Sequence, residues 1–181
     1  MKIGIIREGK VPPDLRVALS PKQCKALLTM YPHVRLVVEE SPIRTFSDQA
    51  YRDEGIEVVS QLDDCDVLIG IKEVPKEHLL ANKTYVFFSH TIKKQPYNRA
   101  LLQTILAKKI RLIDYEVIRD KHRNRLIGFG RYAGIVGAYN AFLTYGLKHQ
   151  QYQLKPAHQC ENRNEVEQEL KKVTLPTNYR C

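Results

Sequence analysis

The stretch Tyr85-Val-Phe-Phe-Ser-His-Thr-Ile-Lys-Lys-Gln95 and the later stretch Arg111-Leu-Ile-Asp-Tyr-Glu116 decide how this chain folds. Each begins as an apolar run and ends at polar, ionisable residues, which is typical of a buried parallel strand. Between them, residues 96–109 carry apolar side chains at the spacing of an amphipathic helix, at positions 101, 102, 105 and 106. The pattern therefore predicts one strand–helix–strand crossover.

Several ionisable side chains are expected to meet at one edge of this sheet. Ligands bind at the carboxyl ends of the strands in open parallel sheets. His90 follows the first of the two strands, and Asp114 and Glu116 follow the second. Lys72 ends an earlier apolar run, and Arg16 lies in the loop before the first helix. On a parallel sheet these residues would face one rim, where they could form either a ligand site or structural ion pairs and strand-end caps.

Paired lysine and histidine side chains indicate proton-transfer chemistry. Such a pair can move protons to and from nitrogen and oxygen atoms of a substrate. An arginine beside them can hold a carboxylate through two hydrogen bonds. Residue types and positions alone leave the catalytic and structural interpretations open.

The first half of the chain repeats the same strand–helix pattern. Further strands are predicted over residues 2–6, 34–38, 56–59 and 66–72. Ser20, Pro21 and Gln23 form a capping-box helix start, so a helix is expected from 21 to about 31. Ser47 caps a second, short helix that ends near Gly55. Alternating strands and helices predict an α/β fold with a parallel sheet.

The residue pattern of the chain changes after residue 129. Residues 117–129 suggest a hairpin, and residues 130–146 carry glycines at 130, 134 and 137. This spacing allows close helix packing, but it is not the G-x-G-x-x-G loop that holds a dinucleotide. We expect the helix to find little packing within the chain, and so to project from the sheet or to pair with a second copy. Residues 150–163 should be irregular and residues 164–173 a short charged helix.

Composition excludes some classes of function. The chain has 181 residues, a formal net charge of +9 and four cysteines without metal-ligand spacing. No apolar run is long enough to cross a membrane. Basic residues are interleaved with acids, so we expect no nucleic-acid partner, although an anionic substrate or cofactor would also suit the charge. Reduced thiols and the absence of a signal peptide predict a cytoplasmic protein, and no metal site is expected.

Five motifs make the chain similar to a known group of proteins. Residues 2–147 resemble the N-terminal domain of the alanine dehydrogenase / pyridine nucleotide transhydrogenase group. Within it they look most like lysine-forming saccharopine dehydrogenases, and closest to the lysine–2-oxoglutarate reductase half of aminoadipic semialdehyde synthases. The motifs are Arg16-Val-Ala-Leu-Ser-Pro21, Gly70-Ile-Lys-Glu-Val-Pro75, Phe87-Phe-Ser-His-Thr-Ile-Lys93, Leu112-Ile-Asp-Tyr-Glu116 and Phe129-Gly-Arg-Tyr-Ala-Gly134.

The resemblance implies a Rossmann-like parallel sheet with helices on both faces, followed by a glycine-rich helix that leads toward a second domain. It divides the chain into a substrate domain over 1–130, an interdomain helix over 131–149 and a connecting segment over 150–181. Members of the group continue into a cofactor domain with a glycine-rich loop, and these 181 residues contain no such loop. We therefore expect the chain to be part of a longer enzyme, or else a naturally short homologue with a binding or regulatory role.

The resemblance also implies roles for individual residues. Lys72 and His90 correspond to the acid–base pair of the group. The residues implied to bind or orient the substrate, or to set the charge around it, are Arg16, Lys93, Glu73 and Glu116. Arg125 corresponds to a position near the cofactor.

The activity implied is the interconversion of saccharopine with lysine and 2-oxoglutarate, by an oxidoreductase that uses NAD or NADP. The cofactor would be bound mainly by the second domain. The partners expected are the small-molecule substrates and a second copy of the chain, paired through residues 131–146. The alternatives are an alanine-dehydrogenase-like enzyme and a non-catalytic amino-acid-binding module.

Overall fold

The computed structural model describes residues 1–174 and contains one six-stranded sheet, in which every strand pair is parallel. The order of the strands across the sheet is β3-β2-β1-β4-β5-β6. The strands are β1 (Lys2–Ile5), β2 (Arg35–Glu39), β3 (Glu57–Val59), β4 (Val67–Lys72), β5 (Thr84–Phe88) and β6 (Arg111–Asp114). The helices are α1 (Pro21–Met30), α2 (Asp48–Asp53), α3 (Arg99–Ala107), α4 (Gly130–His149) and α5 (Arg163–Leu170).

Helices cover both faces of the sheet because successive strand residues point to opposite sides. On one face, Cys24 of α1 and Tyr51 of α2 pack against β1, β2 and the residue before β3. On the other face, Leu101 and Ile105 of α3 pack in a cluster with Phe87 of β5 and neighbouring strand residues. The prediction of a Rossmann-like parallel sheet with helices on both faces is confirmed.

Local signals placed the first helix correctly. Ser20 accepts a hydrogen bond from the Gln23 backbone N–H, and the Gln23 side chain accepts one from the Ser20 N–H. This capping box, with Pro21 at the first helical position, starts α1 at the predicted residue.

Two expectations about burial were wrong. β6 is the edge strand of the sheet, so it is only partly covered, and Ile113 keeps 39% of its surface exposed. In α3, Leu101 and Ile105 are buried, whereas Leu102 and Leu106 are exposed. A helix on an open sheet buries one narrow stripe, and apolar residues beside that stripe remain in solvent.

The strand order creates a crevice between β1 and β4. From β1 the chain passes to β2 and β3 on one side, and from β4 it passes to β5 and β6 on the other. The connections therefore diverge at the carboxyl ends of β1 and β4, and this is where open α/β sheets bind ligands.

The chain divides into two compact units, residues 1–127 and the residues from 128 onward. In the second unit, Tyr139 of α4 forms a small core with Leu154 and Val166. The Tyr139 hydroxyl donates to the Lys155 carbonyl at 2.6 Å. The expectation that α4 would find little packing within the chain therefore holds for most of the helix, because its buried residues are Tyr139 and Gly146 and the following segment covers only this part.

Other apolar residues of α4 are exposed, namely Tyr132, Val136, Phe142 and Leu147. No helix among residues 1–174 is long and apolar enough to cross a membrane. Residues 175–181 of the predicted connecting segment lie outside the described residues.

Two glycines of α4 provide a matched test of this second core. A Cβ atom at Gly146 would lie 2.6 Å from the Tyr152 carbonyl oxygen, whereas a Cβ at Gly134 would meet no described atom within 4 Å. Gly146→Ala should therefore destabilise the unit by roughly 1–3 kcal/mol through overpacking. Gly134→Ala should stabilise it by up to about 1 kcal/mol through helix propensity. Hydrogen exchange of α4 and α5 amides in the two variants measures both effects, and equal protection in both would contradict the packing described.

Candidate active site

Lys72 lies at an irregularity in β4. Between Ile69 and Lys72, the register of β4 against β5 shifts by one residue. β4 therefore carries one extra residue near its carboxyl end. Such a bulge leaves backbone groups without ladder partners and turns the strand. The Glu8 carboxylate fills the gap, because it accepts hydrogen bonds from the Ile71 N–H at 2.6 Å and the Lys72 N–H at 2.9 Å. A side chain that follows β1 thus holds the end of β4.

Glu8 was missed by the sequence analysis. Burial raises the pKa of Glu8 above its ordinary value, although the two backbone hydrogen bonds act in the opposite direction. The signal that could have identified it is the one used for His90, since Arg7 and Glu8 are ionisable residues that follow an apolar strand. We therefore add Glu8 to the candidate site.

A cavity of about 410 Å³ occupies the crevice beside Lys72. Its floor is apolar, and Leu68 and Tyr85 contribute to it. Glu73 lies at the wall, where one carboxylate oxygen pairs with Lys10. The other oxygen of Glu73 is buried and lacks a hydrogen-bond partner among the described residues. The remaining charged side chains of the lining are Arg7, Glu8, Glu39 and Asp63, with His78.

Arg16 lies near this cavity but does not line it. Its guanidinium binds both oxygens of Asp14, at 2.9 Å from Nε and 2.5 Å from Nη2. The hydrogen bond from Arg16 is the main cause of the lowered pKa of Asp14, and the positive charge of Lys72 lowers it further. The negative charge of Glu8 in turn helps to raise the pKa of Arg16, after the larger effect of its hydrogen bond to Asp14. The loop after β1 therefore brings Arg16 into the electrostatic neighbourhood of Glu8 and Lys72.

His90 belongs to a second cluster of charged residues, centred on Glu116. The His90 Nδ1 atom lies 3.0 Å from Glu116 Oε2. The other carboxylate oxygen lies 3.4 Å from Lys93 Nζ and 3.8 Å from Arg125 Nη1. Burial acts to raise the pKa of Glu116, but the hydrogen bond and charge of His90, together with Lys93, outweigh it, and the pKa is lowered. Glu116 therefore stays ionised among three basic side chains.

The contacts of Nδ1 decide the tautomer of His90. Lys93 Nζ lies 3.2 Å from the same Nδ1 atom, but this nitrogen cannot donate to Glu116 and accept from Lys93 at once. The Glu116 contact is shorter and involves a carboxylate, so it favours a proton on Nδ1. The ring also lies roughly parallel to Phe88, with 6.3 Å between centroids and 21° between planes. In the neutral ring, Nε2 is then the atom that can accept a proton.

Asp114 is buried and does not face the rim as expected. Only 6% of its surface is exposed. One of its oxygens accepts hydrogen bonds from the backbone and hydroxyl of Ser89, and the other accepts from the Glu116 N–H at 2.8 Å. The reason for the difference is that β6 ends at Asp114, where three donors at the strand ends need an acceptor.

The structure brings the residues predicted for the site to one sheet edge, in two clusters. Lys72 and Glu73 line the cavity, whereas His90, Glu116 and Lys93 do not. The clusters meet through the pairing of β4 with β5, since Lys72 is the Cα partner of the residue two positions before His90. Arg125, expected near a cofactor, lies in the Glu116 cluster. Its backbone forms an isolated antiparallel β-bridge with Arg119.

The crevice of this chain does not suit the phosphates of a dinucleotide. Carboxylates of Glu8, Glu39 and Glu73 surround the cavity and would repel them. The loop that leaves β1 contains Gly9 and then two prolines, so it lacks the successive glycines that let backbone N–H groups approach a pyrophosphate. Among the described residues, the acidic side chains and the loop after β1 therefore do not favour the binding of dinucleotide phosphates in this crevice.

An open parallel sheet with ionisable side chains at its switch point is the arrangement in which α/β domains bind ligands. Residues 4–136 match the family described as alanine dehydrogenase/PNT, N-terminal domain. The chain therefore belongs to this family, and the resemblance found in its motifs is confirmed.

Individual relatives agree with this assignment. An alpha-aminoadipic semialdehyde synthase of Arabidopsis thaliana is 39% identical over 139 residues, which take in 75% of this chain and 13% of that protein. A saccharopine dehydrogenase [NAD(+), L-lysine-forming] of Yarrowia lipolytica is 31% identical over 143 residues, 76% of this chain and 38% of that protein. The structure of an L-alanine dehydrogenase shares the fold at a TM-score of 0.66 and 19% identity, covering 83% of this chain and 42% of that chain. This chain thus spans less than half the length of each of these relatives.

Glu8→Ala tests the support of the β4 bulge. The substitution leaves two backbone donors, at Ile71 and Lys72, without their acceptor, and an unsatisfied buried donor costs roughly 1–3 kcal/mol. We expect a comparable fall in the free energy of unfolding by urea, together with faster hydrogen exchange at these two amides. Glu77→Ala, at an exposed position on the turn after β4, is the control and should change neither quantity. Unchanged exchange at Ile71 and Lys72 in Glu8→Ala would contradict this support.

Glu116→Gln tests the charge of the His90 cluster through the pH dependence of stability. Because the folded-state pKa of Glu116 is lowered from an ordinary value of 4.5, its charge stabilises the fold above that value. This stabilisation is lost as the pH falls through the lowered pKa. The stability difference between wild type and Glu116→Gln should therefore shrink below pH 4.5, as measured by urea unfolding at each pH.

The exposed Glu77 again supplies the control, since Glu77→Gln removes a carboxylate that contacts no basic side chain of the Glu116 cluster and should leave the stability close to that of wild type. A Glu116→Gln difference that stays constant from neutral to acidic pH would show that Glu116 is not held by its basic neighbours.

Proposed function

We propose that this chain is the substrate domain of an NAD(P)-dependent oxidoreductase that interconverts saccharopine with lysine and 2-oxoglutarate, and that Lys72 and His90 are its acid–base pair. The observation that carries the proposal is the contact between His90 and Glu116 at the same sheet edge as Lys72. The name of the Yarrowia lipolytica relative, which specifies NAD and lysine formation, supports the choice of reaction.

The proposed role of His90 follows from its tautomer. With Nδ1 donating to Glu116, Nε2 can take a proton from the secondary amine of saccharopine or from the water that later attacks the imine carbon. The carboxylate of Glu116 stabilises the imidazolium that this transfer creates.

Lys72 is proposed as the second proton-transfer group. Its backbone is fixed by Glu8, and its side chain lines the crevice beside an apolar surface that suits the methylene chain of lysine. One of the pair would handle the proton on nitrogen and the other the proton of the carbinolamine hydroxyl. Which residue performs which transfer is left open by their positions.

Cations around the edge suit a substrate with several carboxylates. Arg16 and Lys93, and more weakly Arg125, are proposed to bind or orient these groups. Each also contacts a carboxylate of the protein, Asp14 or Glu116. Glu116 and Glu73 would balance the local charge, so that substrate binding exchanges one set of ion pairs for another.

When bound, NAD(P) supplies hydride transfer at the carbon next to the nitrogen. Because the crevice described here does not suit its phosphates, we propose that a second domain holds the cofactor. Exposed apolar residues of α4, within the 131–146 segment, are proposed to contact either that domain or a second copy of the chain.

Two measurements test the proposal. Saccharopine added to the 181-residue chain should shift the NMR signals of Lys72 and His90. In a chimera of the Yarrowia lipolytica dehydrogenase that carries this chain in place of its matching segment, saccharopine and NAD should yield lysine. Lys72→Met and His90→Gln should each lower turnover of the chimera by roughly 10²–10⁴-fold, the usual contribution of acid–base catalysis, with little change in cofactor binding.

Exposed positions supply the matched controls, Lys76→Met and His122→Gln, which should leave turnover unchanged. A folded chimera that binds saccharopine without forming lysine would favour a non-catalytic amino-acid-binding module. Turnover with ammonia and pyruvate instead would favour alanine-dehydrogenase-type chemistry.

A further inference from the structure

Buried polar side chains are concentrated around His90. The described residues contain five buried polar or charged side chains, and four of them belong to one network at the ends of β5 and β6. The four are Ser89, Asn98, Asp114 and Glu116. Burying polar groups is costly unless every group is satisfied, so such a concentration at one point indicates a requirement beyond stability.

The network fixes an uncommon backbone conformation. His90 has φ +56° and ψ 9°, in the left-handed region that few non-glycine residues adopt. Its carbonyl accepts hydrogen bonds from the Asn98 side chain at 3.2 Å and from the Lys93 N–H at 3.1 Å. On the other side of His90, the Ser89 hydroxyl accepts from the Thr91 N–H at 3.2 Å. Hydrogen bonds on both sides of His90 therefore hold the turn.

Asp114 joins this turn to the partner of the imidazole. Its Oδ2 atom accepts from the backbone and hydroxyl of Ser89, the residue before His90. Its Oδ1 atom accepts from the backbone N–H of Glu116, whose carboxylate contacts His90 Nδ1. One carboxylate therefore sets the positions of both the histidine and the acid that orients it.

We propose that Asp114 is a positioning residue for His90: through Ser89 and Glu116 it fixes the Nδ1–H tautomer and presents Nε2 to the substrate. The relevance to catalysis rests on the function proposed above, but the positioning itself is a property of the chain without substrate or cofactor. Asp114 touches neither the imidazole nor the crevice. Its effect passes through the two residues that it binds.

Two-bond ¹H–¹⁵N spectra of the histidine rings in the 181-residue chain test this directly. The His90 signals are identified by their absence in His90→Gln. In wild type at a pH where the ring is neutral, the Nδ1–H form should exceed the Nε2–H form by about tenfold or more, as expected for a hydrogen bond to a charged partner. Asp114→Asn leaves one acceptor oxygen where two are needed. The populations of the Nδ1–H and Nε2–H forms of His90 should therefore become comparable.

A control separates positioning from stability. The Asp66 side chain accepts a hydrogen bond from the Lys2 backbone N–H at 2.7 Å. This contact lies at the amino ends of β1 and β4, whereas His90 follows the carboxyl end of β5. Asp66→Ala removes this carboxylate–backbone contact and should leave the His90 tautomer unchanged. A purely structural role of Asp114 predicts that both variants lose stability and that neither changes the tautomer, and this result would overturn the proposal.

Ser89→Ala covers the case in which Asp114→Asn does not fold. This variant removes only the hydroxyl that binds Asp114 and Thr91, and it should shift the tautomer ratio in the same direction. An unchanged ratio in folded Ser89→Ala would equally overturn the proposal. Because no arm uses saccharopine or cofactor, failure here is distinct from failure of the proposed function.

Discussion

The candidate site depends on carboxylates that accept hydrogen bonds from backbone N–H groups where the parallel ladder ends. A strand that stops at the edge of the sheet leaves donors that its neighbour no longer satisfies, and a buried donor without a partner is destabilising. Glu8 satisfies the end of β4, and Asp114 satisfies the ends of β5 and β6. The groups that stabilise these ends are thereby the same groups that fix the positions of Lys72 and His90.

This arrangement explains why the two proposed acid–base residues are supported differently. Lys72 follows a bulge, so its direction depends on a side chain from another strand. His90 occupies a left-handed turn, so its direction depends on a local network between β5 and β6. A lysine can adjust through its flexible side chain, whereas an imidazole needs a defined ring plane and tautomer. The larger number of buried polar contacts around His90 is consistent with this difference.

Much of the fold could be predicted from the sequence because its signals are local. Apolar runs that end at ionisable residues identified the strands, and the capping box at Ser20 identified the start of α1. The same pattern brought Lys72 and His90 to one edge. Local signals do not report strand order, however, so the exposure of Ile113 on the edge strand could not be read from its apolar run.

The carboxylates were harder to assign because their roles depend on contacts distant in sequence. Glu8 binds the backbone more than sixty residues away, at Ile71 and Lys72. Asp114 and Glu116 share the same sequence signal, yet Asp114 accepts from two backbone N–H groups and the Ser89 hydroxyl, whereas Glu116 faces basic side chains. Residue type and position at a strand end therefore identify candidates, but the number of unsatisfied donors nearby decides which acid is structural and which can act on a histidine.

The charge of the chain is distributed in a way that its net value does not indicate. The formal net charge is +9, yet carboxylates of Glu8, Glu39 and Glu73 surround the crevice. The basic side chains proposed to bind substrate, Arg16 and Lys93, contact acids of the protein. A ligand with both ammonium and carboxylate groups can satisfy each kind of side chain, whereas a polyphosphate can satisfy only one. This contrast is one reason for proposing an amino-acid substrate at this edge and a second domain for the phosphates of the cofactor.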